Sequence, residues 1–196
     1  MSLDPVPNGW CAAVVTHLEM TTRPLPRPLP ADVLRLVQWH ASDPEKYRAL
    51  FRRVGAPWLW FTRLTMDVRQ LAAIIGDPGV KVFAVVDPAS LEVGMVELDF
   101  RTTADCEIAY FGLIPELAGQ GHGRWLMAQT LALAWAPGVE RVWVHTCSLD
   151  HPSALGFYRA QGFAPFKREI ETFRDPRLTG QLPRDAAPQI PLIGTS

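Results

Sequence analysis

Three glycines alternate in Gly119-Gln120-Gly121-His122-Gly123, directly before a long run of helix-forming residues. Glycine lets a backbone approach a bulky anion, and the first N–H groups of a helix have no partner within it. The helix dipole adds attraction for negative charge, so this turn suits a phosphate. It is neither of the two commonest phosphate motifs. A P-loop would need a lysine after its last glycine, and Arg124 stands where a dinucleotide fingerprint has its third glycine. Upstream, Glu97, Asp99 and Glu107 are carboxylates on β-like runs. Glu97 and Asp99 share a face, being two residues apart on a strand. His145, Cys147, Asp150 and His151 cluster downstream, but their spacing crosses a strand end and a loop and matches no zinc pattern, so no metal is expected.

The surrounding elements explain how these residues are presented. Trp10 precedes a β-rich run from Cys11 to Met20, and prolines then space the segment from Pro24 to Pro30 into an extended connection. Asp32 reads as the cap of a helix reaching about His40. Asp43-Pro44-Glu45 opens a second helix, with Tyr47, Leu50, Phe51 and Val54 on one face and Gly55 at its end. Pro57-Trp58-Leu59-Trp60-Phe61 is an aromatic loop or short strand. Asp67 opens a helix to Ile75. Three runs follow, Lys81–Val86, Glu92–Phe100 and Cys106–Leu113, separated by short turns, which predicts an antiparallel meander. Gly121–Trp135 is a helix apolar on most faces, with Trp125, Leu126, Leu131 and Leu133 expected inside. Arg141–Cys147 reads as a strand, Pro152–Gln161 as a helix, and Gly162–Phe173 as a final strand or pair. The fold class expected is α/β of the α+β type, a mixed and mostly antiparallel sheet flanked by helices. Residues 1–10 are expected to be flexible, 11–173 to form one domain, and 174–196, with four prolines, to be an extended or loosely ordered tail.

The segment Cys106-Glu107-Ile108-Ala109-Tyr110-Phe111-Gly112-Leu113-Ile114-Pro115, continued by Gly119-Gln120-Gly121-His122-Gly123, resembles the acyl-CoA-binding segment of the GNAT superfamily, the Gcn5-related N-acetyltransferases. Ala154-Leu155-Gly156-Phe157-Tyr158-Arg159-Ala160-Gln161-Gly162-Phe163 is similar to the second signature of that family. The resemblance covers residues 81–173 and extends over 11–76 only in the order of elements. It implies the GNAT acyl-CoA N-acyltransferase fold, with acetyl-CoA as co-substrate and an N-acetyltransferase activity by direct attack of an amine. The other function it allows is a catalytically silent acyl-CoA-binding sensor or partner module.

Residue by residue, the resemblance implies a coenzyme site at Leu113, Ala118, Gly119, Gln120, Gly121, His122, Gly123, Arg124, His151 and Tyr158. Leu113 marks the backbone N–H near the thioester carbonyl, and Gly112 is expected to permit the strand irregularity beside it. Ala118 departs from the family's Arg or Gln, and Arg124 can supply part of the missing charge. Tyr158 matches the tyrosine that protonates the departing thiolate, and a place in the core is its other reading. Glu107 stands at the offset of a general-base glutamate, with Glu97 and Asp99 as rivals. His151 either contacts the coenzyme or caps the following helix. Trp58, Trp60 and Phe61 either line the acceptor pocket or pack in the core.

Composition narrows the partners. The chain has 196 residues with 19 basic and 20 acidic ones, and its three lysines, Lys46, Lys81 and Lys167, are scattered. That balance lacks the basic stripe of a nucleic-acid or membrane-surface binder. Three cysteines without CxxC spacing argue against a disulfide framework and for a reducing, cytoplasmic setting. The N-terminus has no signal-peptide pattern. The resemblance implies a small-molecule or peptide amine acceptor as partner, and a homodimer is compatible with the chain.

Overall fold

The computed structural model describes residues 3–25, 28–40 and 43–194. Part of the proline-spaced connection between residues 24 and 30 lies outside them. One seven-stranded sheet runs through the chain, in the order β2-β3-β4-β5-β6-β1-β7. Its strands are β1 (Trp10–Met20), β2 (Arg35–Trp39), β3 (Val80–Val86), β4 (Glu92–Asp99), β5 (Asp105–Leu113), β6 (Arg141–Cys147) and β7 (Ala164–Arg174). Among the described residues only the β5–β6 pair is parallel, because the helix α4 (His122–Ala134) intervenes and returns the chain to the same end. All other neighbours are antiparallel, including the expected meander β3-β4-β5.

Helices cover both faces. On one lie α1 (Pro44–Gly55), α2 (Thr62–Thr65) and α3 (Val68–Ile75). Asp43 caps α1 by accepting from the Glu45 N–H, and Asp67 and Gln70 form a capping box on α3. Tyr47, Leu50, Phe51 and Val54 are buried, so the 3.6-residue stripe of α1 is its core face. On the other face lie α4 and α5 (Ala154–Ala160). Trp125, Leu126 and Met127 are buried in α4, whereas Leu133 is 37% exposed and stands outside the core it was expected to join.

The structure corrects the sequence reading at three further points. The segment after Asp32 is not a helix but the edge strand β2, paired antiparallel with β3. Asp32 does make a local cap-like bond, accepting from the Leu34 N–H, but its carboxylate also binds His122 Nδ1 at 2.8 Å. The β-branched and aromatic residues of the segment are stabilised by β3, far along the chain (Trp39 pairs with Val82), a non-local effect that overrides a local cap. The aromatic segment at 57–61 is neither loop nor strand throughout: Ala56–Trp58 is a 3-10 turn, and Leu59 closes it with φ +54°.

The third correction concerns the tail. Residues 175–194 fold back onto the domain, and Asp175, Arg177, Leu182 and Ala187 are all buried. Arg177 bridges Asp175 (2.7 Å) and the carbonyls of Ala186, Ala187 and Ile190. Gln189 donates to the Pro57 carbonyl, and the Gly9 N–H to Ile193, so the tail also ties down the start of β1. Prolines here stop regular structure without preventing packing, because side chains satisfy the backbone in place of a ladder.

Candidate active site

The β5–β6 ladder lasts only from Asp105↔Arg141 to Ile108↔Val144. Beyond it the two strands part. The register of β5 against β4 slips between Leu98↔Ile108 and Glu97↔Tyr110, leaving Ala109 as an extra residue. Such a bulge bends the strand that carries it. The irregularity expected at Gly112 therefore sits three residues earlier, at Ala109. Gly112 has a different role: a Cβ there would meet Val54 Cγ1 at 2.8 Å and Trp60 Cη2 at 3.2 Å.

A cleft of about 580 Å³ fills the split. Its two walls are Ile108–Leu113 on β5 and Val144–Cys147 on β6. Strand N–H groups alternate in direction, and the Ile114 N–H goes to Val93 on β4. The Leu113 N–H thus points toward the gap left by β6, where no ladder continues.

One arm of the cleft ends at the glycine turn. Gly119 (φ +76°) and Gly121 (φ +90°) occupy the left-handed region that glycine enters without strain. A Cβ at Gly119 meets nothing within 4 Å, and at Gly121 only Arg124 Nη2 at 3.9 Å, so the space over the turn is open. Gly121 is the N-cap of α4, no side chain among the described residues caps that end, and no acidic residue stands in its first turn. The free N–H groups and the dipole of a 13-residue helix face this opening. Ala118, Gly119, Gly121, Gly123 and Arg124 line the cleft here, and Leu113, His151 and Tyr158 line it too. Gln120 and His122, also expected at the coenzyme, turn elsewhere. Gln120 Nε2 donates to the Glu116 carbonyl, and His122 is held by Asp32. Burial pushes the Asp32 carboxyl up, but the bonds from His122 and from backbone N–H groups outweigh it and leave it below its ordinary value.

The other arm is aromatic. Trp58, Trp60, Phe61, Tyr110 and Phe173 line it, with Thr62 and Glu171. Phe61 stacks on Phe173 at 4.7 Å, and Trp60 Nε1 reaches Asp150 at 3.4 Å. Trp58, Trp60 and Phe61 thus pack against neighbouring rings and also line the cleft.

Tyr158 stands between the arms. Its ring packs on Phe111, Phe157 and Phe163 at 5.6–6.2 Å, and it is 7% exposed. Among the described residues its hydroxyl has no hydrogen-bond partner. Burial, with a smaller push from the Asp150 charge, raises its pKa, so the phenol stays protonated at neutral pH. His151 accepts from the Ser153 N–H at 3.2 Å, ordering the entry to α5, while its ring meets Trp58 edge-on.

The rival carboxylates separate. Glu97 is fully buried and receives Tyr47 Oη and Arg63 Nη2, both at 2.5 Å. Burial, then the Glu97 charge, pushes the Tyr47 phenol well up. Asp99 is engaged by Arg101. Neither lines the cleft. Glu107 does not line it either; its Oε1 lies 3.5 Å from Nδ1 of His145, which does. Asp150 accepts from Thr146 Oγ1 and the Cys147 N–H, both at 2.8 Å, while His145 faces Glu107 and His151 faces Ser153. Among the described residues no three His, Cys, Asp or Glu side chains converge as a metal site.

Sequence reading missed Glu171, Phe173, Thr62 and Tyr110 as cleft residues. They come from three different elements, α2, β5 and β7, and no motif spans them.

A strand split beside an uncapped helix at a glycine turn is the arrangement on which a family model now bears. The model of the acetyltransferase (GNAT) family matches residues 35–163. The chain belongs to this family. Solved structures share its fold at low identity. A GCN5-related N-acetyltransferase from Sphaerobacter thermophilus superposes with a TM-score of 0.59 at 15% identity, over 84% of this chain and 53% of that one. A tandem GNAT protein from the clavulanic acid biosynthesis pathway gives 0.58 at 19%, over 83% and 53%. An aminoglycoside acetyltransferase from an uncultured soil metagenomic sample, solved with sisomicin, gives 0.55 at 20%, over 66% and 88%. This GNAT chain spans about half the length of the first two. None of the curated proteins compared matches it. Among its described residues no helix is long and apolar enough to cross a membrane.

Proposed function

We propose that this GNAT chain transfers the acetyl group of acetyl-CoA to a primary amine by direct attack. The observation that carries the reading is the continuity of the cleft. One opening runs from the uncapped N-terminus of α4, through the β5–β6 split, to the aromatic arm. In this reading the N–H groups around Gly119–Gly123, with Arg124, hold the pyrophosphate. The pantetheine lies along the split, past Ala118, His151 and Phe157. The Leu113 N–H receives the thioester oxygen, which gains negative charge as nitrogen attacks. Tyr158, kept protonated by its burial, gives its proton to the departing thiolate.

Direct attack is supported by the state of the cysteine in the cleft. Burial and the Asp150 charge push the Cys147 thiol up to about 11, so it is protonated and a poor nucleophile at neutral pH. An acyl-cysteine route therefore has no activated thiol to use. The aromatic walls favour an acceptor whose amine is carried on an apolar or flat body, and the Glu171 carboxylate offers a counter-charge for an ammonium at the arm.

The test is release of free CoA thiol from acetyl-CoA with a panel of aliphatic, aryl-alkyl, polyamine, aminosugar and peptide amines. The reading expects turnover above the no-amine rate for at least one class, strongest with aryl-alkyl amines. Binding of acetyl-CoA without transfer to any amine would favour the silent-sensor function over the enzyme.

A further inference from the structure

We propose that His145 is the general base of the transfer step and that Glu107, set behind it, is a positioning residue. The proposal rests on the reading of the cleft as an acetyl-CoA site.

The geometry begins at the split. Val144 is the last residue of β6 paired with β5, so His145 is the first side chain beyond the ladder and lines the cleft. Glu107 registers with Trp143 and with Asp99. Registered partners share a face, so Glu107 and His145 lie on the face covered by α1, where Tyr47 binds Glu97. Tyr158 lies on the opposite face. Consecutive strand residues make this plain: Tyr110 packs on Phe51 of α1 at 4.8 Å, while Phe111 packs on Tyr158 of α5 at 6.2 Å. A thioester threaded through the split therefore has a phenol on one side and an imidazole on the other.

Glu107 Oε1 lies 3.5 Å from His145 Nδ1 and, with no place on the cleft wall, cannot itself meet the amine. A carboxylate on Nδ1 holds the proton there and leaves Nε2 as the basic nitrogen, the division of labour seen wherever a second group orients a catalytic histidine. In the step, the amine nitrogen bonds to the acyl carbon and the C–S bond breaks. The proton lost by nitrogen goes to Nε2 of His145, and the Tyr158 proton goes to sulfur. The products are an acetamide and CoA thiol, and both side chains then re-equilibrate with solvent.

The charged groups acting on His145 come from three places. Glu107 comes from β5, Glu171 from β7 and Asp150 from the loop after β6, while the His17 ring on β1, itself paired with Glu169, lies 5.8 Å away. The Glu107 contact first, then the other carboxylates, raise the His145 pKa above its ordinary 6.5 against the opposing effect of burial. A raised histidine must lose its proton to act as base. Activity should therefore rise with pH through a limb above 6.5.

The experiment measures kcat/KM against pH with acetyl-CoA and the best amine of the panel, for wild type, His145→Gln and Glu107→Gln. The ionisation of the amine is common to all three, so differences belong to the protein. His145→Gln is expected to lose at least about a hundredfold in kcat/KM, the range of a general base. Its acetyl-CoA affinity by calorimetry should stay within about twofold, because the residue is on the acceptor face. Glu107→Gln should keep measurable turnover, with its acid limb moved to lower pH. His145→Gln turnover within about threefold of wild type overturns the base, and an unmoved limb in Glu107→Gln overturns the positioning role. A wild-type chain that binds no acetyl-CoA overturns the reading of the cleft itself, and with it the proposal.

Discussion

Replacing Tyr158 by phenylalanine removes one oxygen and leaves the ring. The ring is what the fold uses: it sits 5.6 Å from Phe157, 6.0 Å from Phe163 and 6.2 Å from Phe111 and is 7% exposed. The hydroxyl has no partner among the described residues, so the substitution leaves no buried donor or acceptor unpaired. Stability should change by less than about 1 kcal/mol, the net worth of an ordinary hydrogen bond. At roughly 2–4 °C per kcal/mol for a chain of this size, the melting temperature should move by no more than about 4 °C. Catalysis should respond differently. A positioned acid contributes about a hundred- to ten-thousandfold, so kcat and kcat/KM should fall together by at least about tenfold, at least ~1.4 kcal/mol of barrier. Because burial raises the Tyr158 pKa from 10.0, wild-type activity should show no decline from this group at mildly alkaline pH. The assay is thiol release under saturating acetyl-CoA, beside a thermal melt of each protein. Unchanged turnover with an unchanged melt would make Tyr158 a packing residue and refute the assignment. A large drop in melting temperature would refute the inference that its hydroxyl is unengaged by the fold.

Arg177→Ala should strip the buried Asp175 of its ion pair and three tail carbonyls of their donor, costing about 3–5 kcal/mol, read as a melting temperature lower by roughly 6–20 °C. Unaltered melting would show that the tail contributes nothing to the domain. Burial raises the Asp175 carboxyl, but Arg177, backbone and Cys11 bonds outweigh it and depress it below 3.8. A depressed acid stabilises above its unfolded value, so chemical-denaturant stability should fall as pH drops below about 3.8 in wild type, and less so in Arg177→Ala. Gly112→Val should press on Val54 and Trp60, raising KM for the amine while acetyl-CoA affinity persists. An unchanged amine KM would place the acceptor away from Trp60.

The parts of this molecule that were legible in the sequence are those specified locally. Asp43-Pro44 and Asp67 announce helices because a cap needs only neighbours three residues away. The turn at 119–123 was legible because positive φ demands glycine. What escaped depends on partners distant in the chain. β2 is a strand because β3 offers its edge, although Asp32 imitates a helix cap. The bulge at Ala109 exists only relative to β4 and has no residue signature of its own, whereas Gly112 drew the expectation by composition. The tail looked loose because its prolines forbid regular elements, yet the Arg177 guanidinium finds five oxygen partners that no spacing rule foretells. Glu107 was found as a chemically apt residue, but whether it or His145 meets the cleft is decided by where the β5–β6 ladder ends: Glu107 lies within it and His145 just beyond.

The central claim is that the opening at the N-terminus of α4 takes the pyrophosphate of acetyl-CoA. Calorimetric titration of acetyl-CoA into the wild-type chain and into Gly121→Asp tests it most directly. Gly121 has φ +90° and open space above it, so aspartate adds about 1–2 kcal/mol of backbone strain and puts a negative charge where the phosphate would lie. The expected result is a dissociation constant on the order of micromolar for wild type, about −8 kcal/mol. The variant, still folded by thermal melt, should give no measurable heat. Equal binding by both proteins, or no binding by wild type at millimolar acetyl-CoA, would contradict the claim.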